Sequence, residues 1–427
     1  MLVKWNKFWK ILISPFYDSS IKKLHKCEVV FIRHDNDCGY NYKNKKYSPI
    51  IDSAVEICIS LGHSTLSIAA PFSINVGEFA FNSPYAFNRI FLLLAINRRI
   101  LSLFLPNLRS NAWVNERKFR FWLKVLDKVR PKIIIGVQPD PQLCRASRKQ
   151  NIQIYEIQHG VINTDHFWYC GILKDKTPTS ELPHGFLCWD KASAQALNNW
   201  APEKGIQVLV VGNPWFQRFF YPDVTDKLVQ ELIYSENFFE NNRPTILVSL
   251  QWDMNFYYKN NSSRKIMIMC DALEQTIKST SALYNWLIRL HPVQKNGEEG
   301  RACIRYLTQE FGKFDNIEWE INSEIPLPIV LTKCDLHITD MSSVVVEASW
   351  GGVPSALLNP LINEGEILAD LFELERKIGI ATVLPQNNVA IESWIERTLL
   401  SEKSYFMQKT PKDAINNFFQ KVICNNE

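Results

Sequence analysis

Short apolar runs alternate with amphipathic stretches along most of the chain, and most runs end in polar residues, glycine or proline. The first series of runs occupies residues 27–35, 63–70, 131–139, 152–160, 185–190 and 207–214. A second series follows at residues 244–251, 285–292, 334–341 and 353–358. This alternation is typical of parallel sheets covered by helices. The pattern therefore predicts an α/β protein with two Rossmann-like domains that face an interdomain cleft.

Residues 221–243 separate the two series and are charged and rich in Asn and Glu, which is the composition of a linker. The first domain is then predicted to cover residues 1–220 and the second to cover residues 244–427, with the C-terminal helix able to pack back on the first domain. A chain of 427 residues fits two domains of roughly 200 residues each. Ligands of such sheets bind beyond the carboxyl ends of the strands.

Composition and charge exclude several classes of protein. The net charge is +4, and apolar residues make up 46% of the chain. This balance is typical of a globular protein and does not suggest a general nucleic-acid binder. The ten cysteines are scattered and form no CxxC pair. Their distribution argues against a zinc ribbon and a disulfide framework, and it predicts a cytoplasmic protein.

Two segments have a composition suited to a membrane surface. Residues 1–23 mix aromatic and aliphatic side chains with lysines, but they contain no charge-free stretch long enough to span a bilayer. This segment could lie peripherally at the inner face of the cytoplasmic membrane or pack on its own protein. Residues 90–105 are strongly apolar but are interrupted by Arg98 and Arg99. For them a buried helix is the simpler prediction, with membrane contact as the alternative.

Basic and imidazole side chains lie at the end of the predicted strand 285–292. The strand closes with the sequence LIRLHP, which contains Arg289 and His291, and Lys295 lies just beyond it. Together these side chains could neutralise a phosphate group. The alternative for His291 is a strand-end histidine that is hydrogen-bonded to the backbone.

A later predicted strand ends in TDMSS and continues as VVVEASWGGVP. Asp340 closes this strand, and Ser342 and Ser343 open a predicted helix whose free N–H groups and dipole favour an anion. Glu347 lies at i+4 from Ser343 and could bind both ribose hydroxyls of a nucleotide. The alternatives are ordinary helix capping and a solvent-facing glutamate. With His291 at a neighbouring strand end, the pattern favours a site that stabilises a leaving phosphate without a metal.

These motifs resemble the donor domain of GT-B glycosyltransferases. The likeness is greatest to bacterial enzymes that use CMP-sugars or CDP-glycerol to build capsule, lipopolysaccharide or teichoic acid. It implies that His291 contacts the donor phosphate and that Ser342 and Ser343 bind its oxygens, while Glu347 binds the ribose. It also implies a transferase without metal or cofactor, with a nucleotide-sugar donor and a glycan or lipid-linked acceptor.

In the first half, the sequence EIQHG resembles a His-Gly turn of the same polysaccharide enzymes. His159 in this turn could act as general base on the acceptor hydroxyl, since imidazole titrates near neutrality. Asp35 and Asp37 follow the first predicted strand and are rival bases, because a carboxylate of the N-terminal domain often fills this role in inverting members. The alternative for this loop is a solvated polar turn. His159 is the first expected catalytic residue, ahead of Asp35 and then Asp37.

Two other functions remain open. UDP-N-acetylglucosamine 2-epimerases also carry a strand-end His-Pro and a Thr-Asp-Ser turn, although Ser343 and the two valines after it fit their usual Gly-Gly poorly. A non-catalytic GT-B-like subunit of a polysaccharide assembly complex would keep the fold without needing His291 or the serine pair. An epimerase needs no acceptor, so analysis of the product would separate it from a transferase.

Overall fold

The computed structural model describes residues 13–164, 166–233, 238–251, 268–295, 297–401 and 413–424. The chain forms two compact units, one made of Met1–Gln217 with Thr410–Glu427 and the other of Arg218–Lys409. Residues 221–243, predicted as a linker, lie within the second unit. Residues 1–12, the first half of the segment predicted to contact a membrane, lie outside the described residues.

A parallel sheet of six strands forms the centre of the first unit. The strands of this unit are β1 (Val29–Arg33), β2 (Tyr40–Tyr42), β3 (Lys45–Tyr47), β4 (Thr65–Ala69), β5 (Ile133–Gly136), β6 (Gln153–Ile157), β7 (Gly185–Cys188) and β8 (Gln207–Val210). The parallel sheet has the order β4-β1-β5-β6-β7-β8, and β2 and β3 form a separate antiparallel hairpin. Gly136 is required beside β1, because a Cβ at this position would lie 2.6 Å from the Cβ of Ile32.

Helices connect these strands and cover the sheet. They are α1 (Pro49–Ser60), α2 (Asn88–Phe104), α3 (Asn107–Val129), α4 (Pro141–Lys149), α5 (Lys191–Asn198), α6 (Pro214–Phe220) and a π-helix (Phe167–Lys176). The amphipathic α3 buries Phe121, Trp122 and Val125 in the cluster that also contains Val30 and Ile32 of β1. Packing of this apolar face, rather than helix propensity, stabilises the helix.

The second unit is built on another parallel six-stranded sheet. Its strands are β9 (Thr245–Ser249), β10 (Asn285–Arg289), β11 (Ile317–Glu318), β12 (Leu336–Thr339), β13 (Ser355–Leu357) and β14 (Ala381–Val383). Their order is β11-β10-β9-β12-β13-β14. The helices are α7 (Lys227–Ile233), α8 (Asp271–Thr280), α9 (Gly297–Phe311), α10 (Ile321–Glu324), α11 (Leu327–Thr332), α12 (Val344–Trp350), α13 (Glu373–Lys377) and α14 (Asn388–Leu400).

The C-terminal helix, α15 (Ala414–Cys424), packs on the first unit. Its Phe419 ring meets Phe31 of β1 edge-on at 6.3 Å between centroids, and Phe418 meets Tyr155 of β6 at 5.1 Å. Aromatic pairs of this geometry add stabilisation to the area that they bury. The last helix of the chain therefore contributes to the core of the first unit.

The predicted fold class, two Rossmann-like α/β domains, is confirmed. Each of the ten predicted apolar runs contains an observed strand, and both sheets are parallel. The hairpin of β2 and β3 and the short strands β11 and β14 were not predicted. They have two or three residues each, which is too short for an apolar pattern to develop.

The prediction of a buried helix at residues 90–105 is wrong in one respect. The helix is present as α2, and Phe91 and Leu94 in its first half are buried. Its second half is exposed almost all round, because no other described element covers it. Among the described residues, no helix is both long and apolar enough to cross a bilayer.

Candidate functional site

In both sheets the chain reverses the direction in which it adds strands, and each reversal creates a switch point. In the first unit the switch point lies between β1 and β5, and in the second it lies between β9 and β12. Loops leave such a point in opposite directions and open a crevice beyond the carboxyl ends of the strands, where ligands bind. The predicted site residues of each unit follow strands at or next to these points.

Arg289 ends β10 and points its side chain into the protein. Its guanidinium donates a hydrogen bond to the backbone carbonyl of Asn322. Burial lowers the pKa of Arg289 to about 10, and the negative charge of Glu347 opposes this shift. Arg289 is thus already engaged within the protein, and its positive charge favours the ionised form of Glu347.

His291 and Lys295 lie in the turn after β10. The backbone N–H of His291 donates to Oε1 of Gln294 at 2.9 Å, which fixes the turn. The ammonium of Lys295 forms an ion pair with Glu324 at 3.1 Å and donates to the carbonyl of Ser323. Burial lowers the pKa of Lys295, against the effect of Glu324. Of these two side chains, Lys295 has its charge balanced by a carboxylate in this structure.

The turn after β12 carries the serine pair. The hydroxyl of Ser342 accepts a hydrogen bond from the N–H of Val344, the first residue of the short helix α12, at 3.3 Å. Ser343 directly precedes α12, is exposed and makes no side-chain cap. The carboxylate of Asp340 accepts from the side-chain amide of Asn359 at 3.0 Å. Ser343 therefore presents its hydroxyl to solvent, whereas Ser342 and Asp340 also have structural contacts.

Gln251, which the sequence did not single out, connects the two turns. Its Oε1 accepts from the N–H of Met341 at 2.7 Å, and its backbone carbonyl accepts from the side-chain amide of Gln294 at 3.0 Å. Gln251 follows β9, the strand between β10 and β12. The ends of β10 and β12 were predicted to be neighbours but are separated by β9. Gln251 links the turns that follow them across this strand.

Glu347 lies on α12 and is close enough to Arg289 for their charges to interact. Burial raises the pKa of its carboxyl to about 8, and Arg289 opposes this shift. No hydrogen bond to this carboxyl is found among the described residues. A half-buried acid without a donor in the protein retains its capacity to bind hydroxyl groups of a ligand.

A small cavity of about 20 Å³ lies at this switch point. Its lining includes Ser249, Gln251, Cys270, Thr339 and Asp340, which follow or end β9 and β12 or precede α8. This volume is about that of a single water molecule and is far below the range for small-molecule sites. Sheet topology, rather than the cavity, therefore indicates this edge of the second unit.

In the first unit, His159 follows β6 and is largely buried. Its N–H donates to the hydroxyl of Tyr169 at 3.3 Å, and its ring Nδ1 is buried without a hydrogen-bond partner in the described part of the chain. Burial lowers the pKa of His159 to about 4, and positive charge on His34 or His166 lowers it further. The imidazole is therefore neutral at neutral pH, which is the form that accepts a proton.

Behind His159 lies a buried acid that the sequence did not reveal. Glu156 in β6 accepts from the indole N–H of Trp168 at 3.0 Å and is also hydrogen-bonded to Tyr169 and to the N–H of Gln138. Burial raises the pKa of this carboxyl to about 8, against the effect of these donors. Because Tyr169 contacts both Glu156 and the backbone of His159, the network fixes the His-Gly turn on the π-helix.

The two rival carboxylates differ in their contacts. Asp37 accepts hydrogen bonds from the hydroxyl of Ser48 and from the N–H of Ile50 at 3.1 Å, at the first turn of α1. Burial raises its pKa to about 6, against the effect of these donors. Asp35 accepts from the hydroxyl of Ser73 at 2.5 Å and lies next to His34 at the end of β1. These contacts favour a structural role for Asp37, and they keep Asp35 near the switch point.

The contacts of Asp37 predict an effect on stability. We expect Asp37→Ala to lower the free energy of unfolding by about 1 kcal/mol, because α1 loses the acceptor for two donors at its first turn. Chemical denaturation measures this change, and Asn36→Ala, which removes an exposed neighbouring side chain, serves as the matched control. Equal stability of Asp37→Ala and Asn36→Ala would contradict the structural role.

No known family model matches the sequence, and no curated protein is similar to it. Solved structures do resemble it. The UDP-GlcNAc 2-epimerase from Methanocaldococcus jannaschii is 12% identical, with a TM-score of 0.58 over 92% of this chain and 99% of its own. The Neisseria meningitidis UDP-GlcNAc 2-epimerase bound to UDP-GlcNAc is 13% identical, with a TM-score of 0.56 over 93% of this chain and 100% of its own.

A third similar structure is the wall teichoic acid polymerase TagF. It is 12% identical, with a TM-score of 0.56 over 100% of this chain and 96% of its own. At these identities the likeness establishes the fold alone. The chain has the GT-B-like fold of two Rossmann-like domains that these proteins share.

Proposed function

We propose that the protein is a GT-B glycosyltransferase of bacterial surface polysaccharide synthesis. It transfers a sugar or sugar-like group from a phosphate-activated, nucleotide-linked donor to a glycan or lipid-linked acceptor. In the transfer step the acceptor oxygen bonds to the anomeric carbon and the bond from that carbon to the donor phosphate breaks. The acceptor proton passes to a base of the first unit, and the nucleotide leaves with both bonding electrons.

The observation that carries this proposal is the link through Gln251 between the turn of His291 and the turn of Ser342. It joins the turn after β10 to the turn after β12 across β9, at the carboxyl edge of one sheet. An imidazolium and hydroxyl donors fixed in this way stabilise the charge that develops on a leaving phosphate. Glu347, with its free acceptor oxygens, is the group that we assign to the ribose.

On the acceptor side, His159 is the proposed base. Its imidazole is neutral at neutral pH, and the network of Glu156 and Tyr169 holds the backbone that carries it. Asp35 remains the alternative base.

A second candidate is a UDP-GlcNAc 2-epimerase-like activity. It is favoured by the likeness to the two epimerase structures over almost the whole of their chains. An epimerase inverts a centre on the sugar of UDP-GlcNAc and needs no acceptor, whereas a transferase gives a longer glycan and free nucleotide. Conversion of UDP-GlcNAc without an added acceptor would therefore replace the transferase proposal.

The proposal is tested first by nucleotide binding. We expect one of CMP, CDP, UDP or GDP to raise the unfolding temperature of the full chain, since a ligand at ten times its dissociation constant stabilises by about 1.4 kcal/mol. Ser343→Ala and Glu347→Gln should reduce the shift, while Ser401→Ala, at an exposed position of the same unit, should not. If none of the four nucleotides produced a shift, a nucleotide-linked donor would be ruled out.

Metal independence is a separate prediction. Because side chains and backbone N–H groups would neutralise the leaving phosphate, transfer should continue at an unchanged rate in excess EDTA. The rate of nucleotide release with and without the chelator measures this. Complete loss of activity, with recovery on adding magnesium or manganese, would contradict the proposed donor geometry.

The protein is also proposed to work in the cytoplasm, at the inner face of the cytoplasmic membrane where a lipid-linked acceptor is presented. The support from the sequence is the aromatic and basic composition of residues 1–23. This part of the proposal is independent of the donor site.

A further inference from the structure

The second half of α2 and the turn after it project an apolar surface into solvent. Leu93 is 59% exposed, Leu103 is 78% exposed, Phe104 is 79% exposed, and Leu108 at the start of α3 is 83% exposed. Ile96 and Ile100 are also exposed. Single exposed apolar residues are ordinary, but a contiguous group marks an interaction surface. We call the surface formed by residues 93–109 of this helical hairpin the α2 tip.

The spacing of these residues places them on one face. Leu93, Ile96, Ile100, Leu103 and Phe104 follow an i, i+3, i+7, i+10, i+11 pattern, which is one side of an α-helix. Phe91 and Leu94, which are buried, lie on the opposite side at the base of the helix. The helix thus has one apolar side for its own core and a second that no other described part of the chain covers.

The charge around the α2 tip has one sign. Arg98, Arg99 and Arg109 are exposed and have no ion pair within the described residues. The sequence has no Asp or Glu between Glu78 and Glu116. A symmetric contact with a second copy of the chain would bring these arginines against each other, which disfavours a homodimer through this face.

We propose that the α2 tip inserts its apolar face into the interface of a lipid bilayer that carries anionic headgroups. Apolar side chains bury in the acyl boundary, while arginines meet the negative surface potential. The helix lies at the surface and does not cross the bilayer. The proposal concerns a different segment from residues 1–23, and it does not depend on the transfer reaction.

Sedimentation of the full chain with vesicles tests the proposal. We expect the protein to bind vesicles of phosphatidylcholine with phosphatidylglycerol, and to bind pure phosphatidylcholine much more weakly. Changing Leu103, Phe104 and Leu108 together to Gln should lower the vesicle partition coefficient by about tenfold or more. Changing Arg98, Arg99 and Arg109 to Gln should lower it by about fivefold per arginine, with a weaker salt dependence.

The matched control changes two exposed apolar residues of the second unit, Leu283→Gln and Ile367→Gln, and should leave binding unchanged. All these side chains are exposed, so unchanged unfolding temperatures verify that the variants fold. Absence of vesicle binding by the unaltered chain would overturn the proposal. Unchanged vesicle binding by the α2 tip variants would also overturn the proposal, because membrane binding would then belong to another segment. A dimer that dissociates in these variants without any lipid binding would make the surface a contact between copies.

Discussion

Replacing His159 with Ala is expected to lower kcat/KM for transfer by about 10²- to 10⁴-fold, the usual contribution of a positioned general base. Nucleotide affinity should stay nearly unchanged, because the proposed donor residues belong to the other unit. Steady-state kinetics with the natural acceptor and direct nucleotide titration measure the two effects. Loss of turnover with retained donor binding is the result expected when acceptor activation is removed.

The matched control is His25→Ala, which removes an exposed histidine of the same unit and should retain full activity. The pH dependence supplies an independent test. Since the pKa of His159 is lowered to about 4, the imidazole of the free enzyme stays neutral down to that pH. As the pH is lowered, kcat/KM should therefore begin to decrease only below pH 6, a lower pH than for a base that is an ordinary histidine. If His159→Ala kept full activity and Asp35→Ala lost it, Asp35 would be the base.

Most of the fold was predictable because parallel strands buried on both faces are continuous apolar runs. The run of β1, VVFIR, is buried at every position and includes an arginine whose guanidinium pairs with Asp52 at 3.0 Å. The hairpin of β2 and β3 escaped prediction, because its Tyr and Lys residues alternate in no apolar pattern. Exposure of α2 was equally hidden, since an apolar helix has the same sequence whether it packs on protein or on lipid.

The site was predictable only in part, for a related reason. Polar residues at the ends of predicted strands can be identified from the sequence alone, and this criterion selected His291, Ser343 and His159. The order of strands within a sheet does not follow from it, so Gln251 could not be recognised as the link between two turns. Glu156 lies inside a buried strand, and its donors come from a π-helix later in the chain. Its position as the penultimate residue of an apolar strand is the one signal that could have identified it.

The contacts of Arg289 and Lys295 limit what they can do in a phosphate site. Both were selected as cations near a phosphate, but Arg289 donates to a backbone carbonyl and Lys295 pairs with Glu324. The charge of Lys295 is thus already balanced by a carboxylate, so we expect Lys295 to contribute less to neutralising a ligand. We expect His291, the serine hydroxyls and the backbone N–H groups to contribute to the electrostatic part of donor binding.

Replacing His291 with Ala should consequently lower kcat by about 10²- to 10³-fold, the usual effect of removing one fixed donor to a developing negative charge. The hydrogen bond from the backbone N–H of His291 to Gln294, which fixes the turn, is retained in this variant. Unfolding temperature and turnover, measured on the same preparation, separate the two effects. The double change of Ser342 and Ser343 to Ala should instead act on nucleotide affinity, since we propose that these hydroxyls contact the donor both before and during transfer.

Two comparisons make this prediction specific. Gln251→Ala removes the side-chain acceptor for Met341 without touching His291, so it should reduce kcat less than His291→Ala does and leave the unfolding temperature slightly lower. His25→Ala again controls for loss of an exposed imidazole. Wild-type turnover in His291→Ala, together with wild-type nucleotide affinity in the double serine variant, would remove the donor site from this edge of the sheet. If His291→Ala lost turnover but the double serine variant kept its nucleotide affinity, His291 would still be assigned to the leaving group. Nucleotide recognition would then be assigned to Glu347.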